Sequence, residues 1–289
     1  MTADTRPPEA RRRRWPRILL ATLGAIAIIA VSGYFALRGQ DHAVGLEGSN
    51  STPGPVLAGS TRAPQPLRVL IIGGSSGVGR ATAIRALDRG HVVMVMSRHA
   101  SQMRLAYHEL TKFDGDITSA PAVATAVRLA NPDVIVTAIS APVTRGPVAV
   151  FSSGMRNVLT AIGPDSRVRV LAVTGVGAGD SRGHGSRGYN WVFQPLLLHT
   201  IYEDKDREEQ LLSTSSARYT IVRPAEFLPD PPGDPQPAGA TAAPLPPYFV
   251  ATRLDGVTTG RISRAQIAEY LVAAMEGELN VRETVALTR

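Results

Sequence analysis

Three glycines at fixed spacing, Gly73, Gly77 and Gly79, follow an apolar run and open a helix-compatible segment. The first glycine allows a sharp turn out of a strand, the second lets the backbone approach a bound group, and the third lets the helix pack closely on the sheet. The helix N-terminus adds unpaired N–H groups and the positive end of the helix dipole. This stretch therefore predicts a dinucleotide phosphate-binding turn, made of Gly73, Ser75, Ser76, Gly77, Val78 and Gly79.

A second apolar run, His91 to Met96, is followed by Ser97 and Arg98. In a dinucleotide-binding fold, a carboxylate at this position binds the ribose 2′-hydroxyl of NAD, whereas an arginine suits the additional 2′-phosphate of NADP. Ser97 and Arg98 therefore favour NADP, with NAD as the alternative. An ordinary surface role for Arg98 stays open.

Apolar runs alternate with helix-compatible segments over residues 67–289. Strands are predicted at 67–72, 91–97, 134–139, 167–174 and 219–223, with one more within 106–117, and helices at 77–89, 119–130, 148–162, 191–214 and 263–276. Strand–helix alternation with short connections is typical of a parallel sheet with right-handed crossovers. We therefore expect an α/β domain with a Rossmann-like, doubly wound parallel sheet.

The glycine spacing, G-x-x-x-G-x-G, resembles that of the short-chain dehydrogenases/reductases. Later segments are similar to the atypical branch of that family, the NAD(P)H-binding proteins of the biliverdin-reductase-B-like and NmrA-like group. These segments are Gly115-Asp116-Ile117, residues 132–138, residues 170–181, Asp204-Lys205 with Glu209, and residues 219–224. The resemblance covers about residues 67–289.

The resemblance implies cofactor contacts at the ends of several strands. Asp116 would contact the adenine, although an ordinary turn role for it stays open. Backbone groups of Ala138, Ile139 and Ser140 would line the cofactor ribose. The turn at Pro224 would approach the nicotinamide.

Tyr202 and Lys205 are the candidate catalytic side chains, together with Thr174. Ordinary short-chain reductases use a serine, and a tyrosine followed four residues later by a lysine that lowers the pKa of the phenol. Here Lys205 follows Tyr202 after three residues, a spacing that still shares one helix face. Thr174 would stand in for the serine, and Lys205 would also bind the cofactor. Glu209 is expected to pair with Lys205, and a core role for Tyr202 stays the alternative.

Two functions fit these motifs. One is an NADP(H)-dependent oxidoreductase of the atypical short-chain type, which transfers a hydride to a small carbonyl or conjugated substrate. The other is a non-catalytic NAD(P)-binding module that senses redox state.

The sequence contains no cysteine, which excludes thiolate metal sites and cysteine nucleophiles. His184 and His199 are too isolated to predict a metal site.

The first 66 residues have a different composition from the rest. Residues 1–17 hold six arginines and two acidic residues, and so carry more than half of the net charge of +7. Because the positive charge is concentrated in this short segment, it does not indicate nucleic-acid binding. Residues 18–37 contain no charge and as a helix would span ~30 Å, the thickness of a bilayer core. They predict a single transmembrane helix or signal anchor in the cell membrane, with a cleaved signal or a twin-arginine export signal as alternatives. The side of the membrane that carries the domain is left open. Residues 38–66 read as a flexible linker rich in Gly, Pro and Ser.

Overall fold

The computed structural model describes residues 40–47, 49–57, 63–144, 146–229 and 245–289. Its strands are β1 Ser51–Pro53, β2 Arg68–Ile72, β3 Val92–Ser97, β4 Leu110–Asp114, β5 Val134–Thr137, β6 Arg169–Val173, β7 Arg218–Pro224, β8 Glu226–Phe227, β9 Phe249–Ala251, β10 Arg261–Ile262 and β11 Glu283–Thr288. Its helices are α1 Gly77–Asp88, α2 Ala120–Ala130, α3 Val150–Ile162, α4 His199–Thr214 and α5 Arg264–Gly277, with a π-helix, Tyr189–Leu198, directly before α4.

One sheet holds nine of the strands found in the described residues, in the order β1-β9-β11-β7-β6-β5-β2-β3-β4. The strands from β11 to β4 in this order are parallel, and β9 and β1 are antiparallel additions at the other edge. The predicted Rossmann-like parallel sheet is therefore confirmed. The chain runs outward from β2 in one direction and from β5 in the other, and in such folds ligands bind beyond the carboxyl ends of the strands where the order reverses.

Helices cover both faces of the sheet. On one face, Ile84 of α1 and Ile267 of α5 pack with Ile71 of β2. On the other face, Met155 of α3 and Leu212 of α4 lie in a second cluster with residues of the same strands. Strands buried on both faces are apolar throughout, as β5 shows with the sequence Val-Ile-Val-Thr.

Part of the region predicted as a linker packs on the domain. β1 pairs with β9, Val44 forms a backbone bridge with Thr258, and the Tyr248 hydroxyl donates a hydrogen bond to the Pro55 carbonyl oxygen at 2.9 Å. These contacts differ from the flexible linker that composition predicts for residues 38–66. Strand pairing uses backbone groups, which every residue type carries, so the sheet edge can order a segment that lacks apolar periodicity.

Among the described residues, no helix has the length and apolar character needed to cross a membrane. The predicted transmembrane segment 18–37 and the basic segment 1–17 lie outside the described residues.

Candidate functional site

The turn after β2 is shaped by close backbone contacts. Gly73 has φ +88°, and a Cβ there would lie well inside van der Waals distance of the Ala138 carbonyl oxygen. A Cβ at Gly79 would overlap the carbonyl of Gly73 in the same way. These two glycines therefore let the turn sit tightly against the end of β5 and the start of α1.

Gly77 differs because a Cβ there would make an ordinary van der Waals contact and would overlap no described atom. Its φ is +55°, and the nearest atom to a Cβ built there is Nε of Arg264, at 3.8 Å. Ser76 is the N-cap of α1 and makes no side-chain capping bond. The helix N-terminus and the Arg264 guanidinium thus both border Gly77, an arrangement suited to an anionic group.

Arg264 was not among the residues that the sequence indicated. It is the first residue of α5, far from the glycine turn along the chain, so no local spacing connects the two. Its guanidinium also lies 4.8 Å from the ring centroid of Phe227.

Ser97 ends β3 beside the turn, and Arg98 follows it. The hydroxyl oxygen of Ser97 is buried and has no hydrogen-bond partner within the described ranges, whereas Arg98 is exposed. A buried hydroxyl without a partner is costly unless a ligand or water supplies one. The end of β3 therefore fits the ribose end of a dinucleotide.

Asp116 lies in the next loop and forms a local turn. Its carboxylate accepts hydrogen bonds from the backbone N–H of Thr118 at 2.8 Å and from the Thr118 hydroxyl at 2.7 Å. These bonds, and to a smaller extent the positive charge of Arg98, hold the pKa of Asp116 below its ordinary value. Asp116 stays an ionised, exposed carboxylate near Arg98.

The end of β5 lies directly beside the glycine turn. Ala138 donates its N–H to the Ile72 carbonyl oxygen at 2.9 Å. Ala138 and Ile139 are half-buried, and Ser140 is exposed. The structure thus places the predicted ribose-lining segment next to the predicted phosphate turn.

The three predicted catalytic residues come together at the end of β6. Lys205 Nζ donates a hydrogen bond to the carbonyl oxygen of Thr174. A Cβ built at Gly175 would lie 2.9 Å from the Tyr202 hydroxyl oxygen and 3.8 Å from Lys205 Nζ. The phenol and the ammonium therefore converge on the backbone just after Thr174. Pro224, at the end of β7, accepts a hydrogen bond from Val176 N–H at 2.9 Å in the same region.

The environment of Tyr202 differs from that of an ordinary short-chain reductase. Its hydroxyl oxygen accepts a hydrogen bond from the hydroxyl of Tyr189, and the two rings meet edge to face with centroids 6.2 Å apart. Burial raises the pKa of Tyr202 to about 12 and lowers the pKa of Lys205. Tyr202 therefore stays protonated at neutral pH and can donate a hydrogen bond, but it is a weak acid.

Glu209 pairs with a different partner from the one expected. Its carboxylate accepts hydrogen bonds from the Arg223 guanidinium, at 2.6 and 3.0 Å, and from the Thr174 hydroxyl at 2.7 Å. Arg223 also forms an ion pair with the exposed Asp180. The expected pairing of Glu209 with Lys205 is replaced because β7 offers a bidentate arginine, which binds a carboxylate more strongly than an ammonium does.

A cavity of about 460 Å³ opens beside Tyr202. Its walls combine polar and apolar side chains from the loop after β6, the π-helix and the start of α4, including Arg182, Asn190, Trp191, Gln194, Pro195 and His199. Two hydrogen bonds hold the loop in place. The Gln194 side-chain amide donates to the Gly177 carbonyl oxygen at 2.8 Å, and the Gly179 N–H donates to the Asp206 carboxylate at 2.7 Å. The cavity is therefore a candidate acceptor pocket next to the converging phenol and ammonium.

Glu208 is a buried carboxyl that the sequence did not single out. It is 2% exposed, and its Oε2 has no hydrogen-bond partner in the part of the chain that the structure describes. Burial raises the pKa of Glu208 to about 8, although the neighbouring Lys205 opposes this shift. A carboxyl that stays protonated near neutral pH avoids the cost of burying a charge.

We expect Glu208→Gln to flatten the pH dependence of stability. Between about pH 4.5 and 8 the folded chain keeps a proton on Glu208 that the unfolded chain loses, so the unfolding free energy of the natural chain falls as pH rises. The limit is about 1.4 kcal/mol per pH unit for one group. Urea unfolding at pH 5.5 and 7.5 would measure the difference, with the exposed Glu203→Gln as control. If the unfolding free energy changes between pH 5.5 and 7.5 by the same amount in the Glu208 variant and in the natural chain, this assignment is contradicted.

The family model described as NAD(P)H-binding matches residues 73–278. The chain belongs to this NAD(P)H-binding family. The matched range contains the glycine turn, Ser97, Arg98 and the cluster at the end of β6. The family supports a nicotinamide cofactor and the predicted resemblance to atypical short-chain reductases.

Several solved structures share the fold. A short-chain dehydrogenase/reductase from Veillonella parvula, solved with NADP, is 14% identical with a TM-score of 0.57, and the alignment covers 76% of this chain and 94% of that one. A proposed NADH-flavin reductase from Streptococcus pneumoniae is 20% identical with a TM-score of 0.54, covering 76% and 98%. An anaerobillin reductase from Escherichia coli O157:H7 is 22% identical with a TM-score of 0.52, covering 76% and 96%. At these identities the likeness shows the fold alone. A search of curated proteins gave no match.

Proposed function

We propose that the chain is an NADP(H)-dependent oxidoreductase of the atypical short-chain type, acting on a small carbonyl or conjugated acceptor. The observation that carries this proposal is the left-handed backbone at Gly77, where the α1 N-terminus and Arg264 meet. A Cβ there would overlap no described atom, so close packing does not explain this glycine as it explains Gly73 and Gly79.

The cofactor would lie along the carboxyl ends of β3, β2, β5 and β6. The N–H groups of residues 74–79 and Arg264 would hold the pyrophosphate. Ser97 and Arg98 would bind the 2′-phosphate, and Asp116 the adenine. Residues 138–140 would line the ribose, with Lys205 and Pro224 near the nicotinamide.

When bound, the nicotinamide supplies a hydride donor. The residues of the chain orient the acceptor and determine which group supplies its proton. Tyr202 accepts a hydrogen bond from Tyr189, so its own proton is available to an acceptor oxygen in the cavity. Because burial raises the pKa of Tyr202 to about 12, we infer that it donates a hydrogen bond without giving up its proton. The proton that completes the reduction would come from solvent through the cavity.

A non-catalytic, redox-sensing module is the second candidate. It is favoured by the Thr174 hydroxyl, which donates to Glu209 at 2.7 Å and so is not free to donate to a substrate. Both candidates bind NADP(H), and the enzyme alone consumes NADPH when an acceptor is added. A spectrophotometric screen of quinones, flavins and enones at 340 nm separates them.

We also propose that residues 18–37 anchor the chain in the cell membrane. Their uncharged, apolar sequence and the arginines that precede them support this proposal. Which membrane side carries the domain is left to a reporter fused after Arg289.

Arg98→Ala tests the choice of cofactor. Loss of a charge-assisted bond to the 2′-phosphate should weaken NADPH binding by ~1.5–3 kcal/mol, and NADH binding should barely change. Titration calorimetry with both dinucleotides measures this split. Arg128→Ala, which removes an exposed arginine from α2, is the matched control. Equal losses for both dinucleotides in the Arg98 variant would contradict the assignment.

A further inference from the structure

The π-helix carries a group of large apolar side chains on the surface. Trp191 is 79% exposed, Phe193 48%, Leu196 68% and Leu197 47%. In a π-helix, residues four and five apart lie near each other, which places Trp191 beside Leu196 and Phe193 beside Leu197. We call these four side chains together the apolar ridge. Single exposed apolar residues are common on soluble proteins, but a contiguous group of this size marks a contact surface.

The apolar ridge adjoins the candidate acceptor pocket. Trp191 belongs to the ridge and also lines the cavity, as does Pro195, which lies just before Leu196. Tyr202 lines the same cavity from α4. The cavity beside Tyr202 is therefore bordered by Trp191 of the apolar ridge.

The first described residues of the chain lie close to this region through a short series of contacts. Val44 exchanges two backbone hydrogen bonds with Thr258, each at 2.9 Å. The next residue, Thr259, donates its N–H to the His184 carbonyl oxygen at 2.7 Å. Asn190, which neighbours Trp191, donates to the Gly183 carbonyl oxygen at 2.8 Å. The chain thus reaches the domain at the same edge that carries the ridge.

This position matters because residues 18–37 are uncharged and apolar, and only a few residues separate them from Val44. A chain anchored through residues 18–37 would hold this edge of the domain beside the bilayer. Tryptophan, phenylalanine and leucine next to an exposed arginine, here Arg187, are the residue types of segments that lie in the membrane interface.

We propose that the apolar ridge rests in the interfacial layer of the lipid bilayer and that the cavity takes an apolar, conjugated acceptor of the quinone class from the lipid. This inference rests on the proposed function and names its substrate class. The acceptor gains one hydride from the cofactor and one proton from solvent. It leaves as the two-electron-reduced quinol, and the cofactor leaves oxidised.

Fluorescence of Trp191 tests the position of the ridge. The sequence holds two tryptophans, so Trp15→Phe leaves Trp191 as the sole emitter in the full chain. In vesicles of phosphatidylcholine and phosphatidylglycerol with brominated acyl chains, we expect Trp191 emission to shift to shorter wavelength and to fall at least about twofold, because burial in the interface brings the indole near the bromines. Emission of an exposed, unquenched indole would overturn the proposal. A blue shift without bromine quenching would indicate contact with a second copy and would also overturn it.

Kinetics test the source of the acceptor. Leu196→Gln with Leu197→Gln should raise the KM for a long-chain quinone dissolved in the vesicles by roughly tenfold. The rate with a short, water-soluble quinone should stay unchanged. Leu129→Gln, an exposed leucine on α2 at 58% exposure, is the control and should change neither rate. Equal effects on both quinones, or none, would overturn the proposal.

The same preparation separates this inference from the proposed function. If brominated lipid does not quench Trp191 but the chain still oxidises NADPH, only the proposal that the ridge lies in the bilayer is wrong. Quenching of Trp191 in a chain that neither binds nor oxidises NADPH removes the proposed function and leaves the ridge at the bilayer.

Discussion

Gly77→Val is expected to abolish measurable dinucleotide binding while the domain stays folded. The valine side chain would project from the turn where a phosphate must approach the backbone, next to Arg264, whose Nε lies 3.8 Å from the Cβ position. It would therefore exclude the pyrophosphate from the N-terminus of α1. Calorimetric titration with NADPH and a thermal melt of the same sample measure binding and folding together.

The matched control is Gly163→Val. Gly163, at the C-cap of α3, also has a positive φ, +76°, and a Cβ there meets no atom within 4 Å. Both variants therefore carry the strain of a β-branched residue at positive φ, which costs on the order of 1–3 kcal/mol. We expect similar loss of stability in both variants and loss of NADPH binding in the Gly77 variant alone. Unchanged affinity in a folded Gly77→Val chain would contradict the assignment of the phosphate turn.

Glu209→Ala is expected to cause the largest loss of stability. It would remove the buried carboxylate that holds Arg223 by two hydrogen bonds and the Thr174 hydroxyl by a third. Among the described residues, Arg223 would keep only Asp180 as a carboxylate partner, and Asp180 is 90% exposed and so screened by water. Removing one partner of a buried pair costs about 3–5 kcal/mol.

Chemical unfolding at pH 7 measures this loss, and Glu203→Ala, which removes an exposed carboxylate from the same helix, should cost less than about 1 kcal/mol. A loss as small as that of the control in the Glu209 variant would show that Arg223 finds another partner. The Thr174 hydroxyl would then have to be reconsidered as well, since it shares the same carboxylate.

The features that could be predicted from sequence are those with local causes. The glycine turn follows from spacing within seven residues, and the strands follow from apolar runs, so the order of β2, α1 and β3 was predictable. The approach of Arg264 to Gly77 joins distant parts of the chain, and no local pattern indicates it. The partner of Glu209 was missed for a similar reason, because helix spacing suggested Lys205 while the fold brought Arg223 of β7 closer.

Two other differences come from the backbone. The sequence predicts one helix over 191–214, whereas the structure has a π-helix up to Leu198 and an α-helix from His199. Pro195 lies inside the π-helix and lacks the N–H that an α-helical hydrogen bond requires. The strand β1 forms where composition predicts a linker, because the exposed edge of β9 supplies the hydrogen bonds.

We propose above all that this chain binds NADP(H) at the turn after β2. Its most direct test is a calorimetric titration of the purified full chain with NADPH and, separately, with NADH. We expect saturable binding of one NADPH per chain, and weaker binding of NADH because NADH lacks the 2′-phosphate that Arg98 would hold. Absence of binding for both dinucleotides by a folded chain would contradict the account.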